Sequence, residues 1–213
     1  MSKDCGKHEG DKFARGLLFC IFFFIVIVLL VILIVYLVLR PTKPRFYLQD
    51  ATVIQFNLTQ PNLLSSQIQV TVSSLNPNDR IGVFYDKLDI YASYKSQQIT
   101  LAAQIPPLYQ GHKDVDVWSP YLSGLGIPIA PFLAEALQQD QSDGYFFLFV
   151  KIDGRIRWKV GSWTSGTYRL LVNCPAYLSF DRRAVGAGDG GGGFAATAAE
   201  IKFQRISTCS VDV

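Results

Sequence analysis

The sequence predicts an all-β fold, an antiparallel β-sandwich with one short helix, preceded by a single N-terminal transmembrane α-helix. Three observations predict it. Leu17 to Leu39 holds no charged residue and only Cys20 and Tyr36 outside Leu, Ile, Val and Phe. From Phe46 onward the apolar period changes to two, the signature of half-buried strands. Clusters of Pro, Gly, Asn and Asp then divide the sequence into about eight short apolar runs, the pattern of a sandwich.

The apolar stretch comes first. As a helix, 17–39 spans roughly 34 Å, enough for a hydrocarbon core of about 30 Å. Its many β-branched residues favour strand in water, but lipid offers no partner to a free backbone amide, so the helix wins. The run exceeds the apolar core of a signal peptide, and Arg40-Pro41-Thr42-Lys43-Pro44-Arg45 stands where a small-residue cleavage site would be needed. A signal anchor is the reading. Residues 1–16 carry mixed charge without an apolar period and are predicted to be a short disordered cytosolic tail. Residues 40–45 form a stiff basic stalk, in which Pro41 and Pro44 stop the helix and the cations suit lipid phosphates. What remains, 46–213, is of ordinary size for one domain.

Charge alone does not orient the span, with four cations before it and three just after. The sequon Asn57-Leu58-Thr59 is usable only in the secretory lumen, and it favours an outside domain, with Asn57 the candidate glycosylation site. Cys174 and Cys209 form an even pair in that oxidising compartment and are predicted to bridge. Cys20, near the inner face, is a candidate for palmitoylation, although a small apolar residue in a membrane helix needs no such role. The net charge of +3 is spread along the chain, which argues against nucleic acid as partner.

Within the domain Ile54, Phe56 and Leu58 alternate with Gln55 and Asn57, and Ile68, Val70 and Val72 alternate with polar neighbours. Asn76-Pro77-Asn78-Asp79 is a turn. Leu88, Ile90, Ala92 and Tyr94 face one way, and Lys87, Asp89, Tyr91, Ser93 and Lys95 the other. Ile99 to Ile105 and Val115 to Trp118 are shorter candidates. Ile129, Phe132, Leu133 and Leu137 fall at helical spacing, with Pro131 suited to a first turn. Tyr145 to Ile152 and Arg155 to Val160 flank Asp153-Gly154, read as a hairpin turn. Tyr168 to Cys174, Glu200 to Phe203 and Cys209 to Val213 complete the strands. The glycine tract 186–193 formally contains GxGxxG, but it is low-complexity and lacks the βαβ unit that a nucleotide loop requires, so it reads as a loop.

The segment from Asn76 to Asp86, with Arg157-Trp158-Lys159-Val160-Gly161, Tyr168-Arg169-Leu170, Cys174-Pro175-Ala176 and Cys209-Ser210-Val211-Asp212-Val213, resembles the plant harpin-induced-like membrane proteins. The resemblance covers the domain and the preceding anchor. It implies a late-embryogenesis-abundant group 2 domain similar to fibronectin type III, held at the plasma membrane or a related membrane, with a part in pathogen response and hypersensitive cell death. The chain departs from the pattern in its longer glycine tract, and it lacks the apolar C-terminal tail of a lipid-anchored form.

The same residues offer no constellation for catalysis. His112 is the domain's one histidine, and Gly161 to Gly166 places its serines at the wrong offsets for a nucleophile elbow, so no catalytic residue is expected. No cysteine or histidine motif suggests zinc, and neither a metal nor a cofactor is expected. Asp114 and Asp116 read as a solvated face opposite inward Val115 and Val117. Arg155, Arg157 and Lys159 make a cationic stripe, either protecting a sheet edge or holding an anionic ligand, an acidic polysaccharide or lipid headgroup. The expected partners are the bilayer itself, an unidentified protein such as another membrane protein, and that anion. The expected setting is the plasma membrane, single-pass, N-terminus cytosolic and domain extracellular. A non-enzymatic role by contact follows, with a tethered lipid or wall-polysaccharide binding module as the alternative.

Overall fold

A strand that alternates apolar and polar residues has one face to bury, and two sheets stacked on those faces bury both. The computed structural model, which describes residues 5–38, 41–180, 194–197 and 201–213, arranges the chain in this way. Helix α1 spans Cys5–Val38, so the segment read as a disordered tail is helical from Cys5 onward. One stretch of it, Arg15–Leu33, is long and apolar enough to cross a membrane, and all its side chains are exposed. The chain divides into two compact units, Met1–Pro41 and Thr42–Val213.

The second unit contains β1 (Arg45–Thr59), β2 (Leu63–Leu75), β3 (Gly82–Tyr94), β4 (Gln97–Gln98), β5 (Ala103–Ile105), β6 (Leu108–Gln110), β7 (Val115–Trp118) and β8 (Tyr121–Pro128). Helix α2 (Pro131–Asp143) follows, then β9 (Tyr145–Val160), β10 (Trp163–Thr164), β11 (Tyr168–Phe180), β12 (Phe194–Thr197), β13 (Ile201–Phe203), β14 (Ser207–Thr208) and β15 (Ser210–Asp212). One sheet runs β12-β1-β2-β7, with β14 also on β1 and β8 on β2. The other runs β13-β11-β9-β3-β4, with β10 on β9, β15 on β11, and β5 and β6 on β3. The central pairs β1/β2, β3/β9 and β9/β11 are antiparallel. Their inward residues, such as Phe46, Phe56, Ile68, Tyr85, Ile90 and Phe146, are fully buried and form one continuous core.

Asp153-Gly154 is no hairpin turn: β9 runs through it unbroken, with Gly154 opposite Leu88 on one side and Leu170 on the other. The glycine is needed for close approach, because a Cβ there would stand 2.5 Å from the Lys87 carbonyl oxygen, beside a bulge between Tyr85 and Lys87. Gly154→Ala is accordingly expected to lower stability by about 1–3 kcal/mol, the usual cost of overpacking. Urea unfolding followed by tryptophan fluorescence checks it, and an unchanged midpoint would show that the strand yields freely.

In β1 a register shift between Val53 and Gln55 breaks the alternation read from Ile54, so Val53 is buried and Ile54 only half-buried. Bulges of this kind insert a residue without any signature in composition. The segment 99–105 forms strand only over β5, although Ile99 is buried. In α2 Pro131 sits in the first turn and Gly144 closes the helix at φ 86°, a left-handed cap. Leu133, Ala134 and Leu137 are buried, whereas Phe132 is 67% exposed. The glycine tract 186–193 and Glu200 lie outside the described residues.

Candidate functional site

The cationic stripe on β9 was the sequence's most distinctive exposed feature, and the structure separates its members. Along the stripe β9 has β3 on one side and, on the other, β11 beside Arg155 and β10 beside Lys159, so edge protection does not account for the stripe. Arg157 makes a two-pronged ion pair with Asp86, Nε to Oδ2 at 2.7 Å and Nη2 to Oδ1 at 2.6 Å. Its guanidinium also lies 5.4 Å from the centre of the Phe84 ring. Lys159 Nζ sits over the Tyr109 ring at 4.9 Å, a cation–π contact. Two of the three cations thus have structural partners.

Arg155 belongs to a different set. Strand register places Lys87 directly opposite it on β3 and Arg169 directly opposite it on β11. The result is a row of three cations across three strands, although like charges directly opposite one another are destabilising. Two carboxylates in the adjoining row serve the outer members. Lys87 Nζ is 2.6 Å from Asp89 Oδ2, and Arg169 bonds Asp153 through Nε at 3.2 Å and Nη2 at 2.6 Å. The bond from Arg169 holds the Asp153 carboxyl below its ordinary range, with Lys87 and Arg155 adding to the effect. Together with Thr167 these groups line an open cleft of about 520 Å³. Sequence reasoning missed Lys87 and Arg169, because only register reveals that residues so far apart share a row.

A second polar cluster lies where β2 leaves its sheet. Asn76 is fully buried, and its amide donates to the Ile81 and Gly111 carbonyls at 2.7 and 2.8 Å while its Oδ1 accepts from the Asn78 backbone. Asn78 in turn exchanges two 2.8 Å bonds with the backbone of Thr42, fixing the first residue of the domain. Nearby, Ser74, Tyr85 and Gln110 are linked by buried hydrogen bonds.

Asp116 of β7 corrects a sequence expectation, whereas Asp114, just before the strand, is exposed as expected. Val115 and Val117 are about half exposed, at 54% and 52%, and it is Asp116 that turns inward, opposite Ser74. Trp118 faces the same way, stacking on Phe46 and meeting Tyr85 edge-on, and its large ring decides which face is buried. Asp116 Oδ2 is buried without a hydrogen-bond partner. Burial, then repulsion from Asp114, pushes its carboxyl above the ordinary range. A raised carboxyl favours the protonated folded state, so stability falls as pH rises through that range. Asp116→Asn is therefore expected to raise the unfolding midpoint at pH 7, with the gain shrinking as pH is lowered toward about 4. Thermal melts at both pH values check this, and a pH-independent effect would deny the carboxylate its role.

Cys174 and Cys209 form a disulfide with an S–S distance of 1.99 Å. Cys209 lies between β14 in one sheet and β15 in the other, so the bond ties the crossing of the chain to β11. Asn57 is half-buried on β1, opposite Ser65 and Ala195. Cys20 is a free thiol exposed on α1. His112 is exposed between β6 and β7. Among the described residues no three His, Cys, Asp or Glu side chains form a metal-binding group.

Comparison with known proteins gives this geometry a family. Residues 71–174 match the late embryogenesis abundant protein family. NDR1/HIN1-like protein 1 of Arabidopsis thaliana is 47% identical over 99% of this chain and 100% of its own length. NDR1/HIN1-like protein 12 of the same plant is 48% identical over 100% of this chain and 99% of its own. NDR1/HIN1-like protein 26 is 39% identical over 79% and 75% respectively. Nearly half the residues agree with each of the first two relatives over essentially the whole chain, and the chain belongs to the NDR1/HIN1-like family.

Proposed function

We propose that the protein is a single-pass plasma-membrane protein whose domain lies outside the cell and acts in plant pathogen response through contacts rather than catalysis. The names of its relatives point to pathogen response. One observation carries the membrane part: an exposed apolar helix, Arg15–Leu33, precedes a domain that has its own core. The disulfide supports an oxidising compartment for that domain, since such bonds persist in the secretory lumen and outside the cell. The Asn57 sequon supports the same side, and a single exposed histidine in the domain favours binding over hydrolysis. Cys20 at the inner end of the span is the acylation candidate on the other side.

Protease treatment of intact plant protoplasts tests the arrangement. External protease is expected to remove the domain and leave a membrane-bound stub, and Asn57→Gln is expected to abolish a glycosidase-sensitive shift in mass. A domain that survives external protease but is cut after permeabilisation, or a chain freed by alkaline carbonate, would refute the proposal.

A further inference from the structure

The cleft over β3, β9 and β11 holds three cations against two carboxylates, and both carboxylates are committed to the outer cations. Arg155, in the middle, is exposed and makes no ion pair among the described residues. Neighbouring strands lie about 4.8 Å apart, so the backbone of the row spans roughly 10 Å and the long side chains can converge on one group above it. Such a row gains nothing for the fold by itself, because its members repel. An anion placed over Arg155 would turn that repulsion into attraction, and a guanidinium presents a planar fork suited to an oxyanion.

The lining narrows the class of anion. One positive charge is in excess, which a monoanion balances. A dianion would overshoot and meet Asp89 and Asp153 at close range. Those carboxylates accept hydrogen bonds from hydroxyl groups, and the Thr167 hydroxyl both donates and accepts, so the floor fits a ligand rich in hydroxyls. At about 520 Å³ the cleft falls within the range of roughly 300–1,000 Å³ usual for small-ligand pockets, more space than a lone ion needs.

From this geometry we infer that the cleft binds a uronate-bearing oligosaccharide, its carboxylate on Arg155 between Lys87 and Arg169 and its hydroxyls on Asp89, Asp153 and Thr167. The inference moves the anion site from a stripe along β9 to a row across three strands. It rests on neither the pathogen role nor the sidedness proposed above, and binding alone decides it.

The test uses the full chain in phosphatidylcholine nanodiscs at low ionic strength, with a xylobiose bearing a single glucuronate, a monoanionic trisaccharide, as the probe in isothermal titration calorimetry. Arg155→Gln is expected to weaken binding tenfold or more, and Lys159→Gln, on the same strand but held by aromatic rings, to change it less than twofold. The methyl-esterified trisaccharide is expected to bind at least tenfold more weakly than the acid, and inorganic phosphate no more tightly. Without ligand, Arg155→Gln should leave the unfolding midpoint equal to wild type or higher, since it relieves the row. No binding by wild type, equal binding by Arg155→Gln or by the ester, tighter binding of phosphate, or a lower midpoint in Arg155→Gln would each overturn the inference.

Discussion

Removing the Cys174–Cys209 bond by the double substitution Cys174→Ala and Cys209→Ala is expected to cost the domain roughly 3–4 kcal/mol, the chain-entropy value for a loop of this length. The bond closes a separation of 35 residues. Its position adds to the expectation, because Cys209 sits where the chain leaves β14 for β15, and its backbone amide donates to the Phe46 carbonyl at 2.9 Å. Cys174 is fully buried, so alanine at that position also forfeits packing. All three tryptophans, Trp118, Trp158 and Trp163, lie in the domain, so their fluorescence reports its unfolding without interference from α1. Urea titration of the full chain in nanodiscs should show the midpoint of the double variant well below wild type and unaffected by reductant, with reduced wild type falling to the same level. A wild-type midpoint that reductant does not move would remove the bond from any account of stability.

Asn76→Ala carries the other large expected effect. The substitution strands the Ile81 and Gly111 carbonyls and removes the acceptor for the Asn78 amide, all within a buried corner. Each buried polar group left without a partner costs about 1–3 kcal/mol, so a loss of roughly 2–5 kcal/mol is expected. Asn76→Asp is the sharper comparison. It preserves shape but cannot donate to either carbonyl, and it adds a buried charge, so it should be at least as harmful as alanine. Asn78→Ala, which releases only the clasp on Thr42 and the bonds to Asn76, should cost less. The same urea titrations rank the three, and an Asn76→Asp variant as stable as wild type would contradict the hydrogen-bond assignment.

The strands of this domain were legible wherever alternation was unbroken. Ile68, Val70 and Val72, and Leu88 through Tyr94, bury the faces that their spacing indicates. The bridge between Cys174 and Cys209 was legible because the domain holds a single pair. What failed depended on long-range partners. Asp153-Gly154 has the composition of a tight turn, yet β3 and β11 supply partners on both sides and the chain stays extended. Val115 and Val117 are more apolar than Asp116, but the face of a four-residue strand is chosen by its bulkiest member, Trp118, which stacks in the core. The cleft was the least legible part. Arg155 could be seen as exposed and cationic, but Lys87 and Arg169 join it only through register, a quantity that local sequence leaves open.

β1 pairs with β2 on one side, but its other side receives Phe194–Thr197 and Ser207–Thr208, far along the chain. During synthesis the first strand must therefore wait, with half its amides unpaired, until those distant segments arrive. Topologies dominated by such pairings fold on the scale of milliseconds to seconds, slower than helical bundles of like stability. Crowding of newborn copies is the natural hazard of that interval, since two waiting strands can pair with each other.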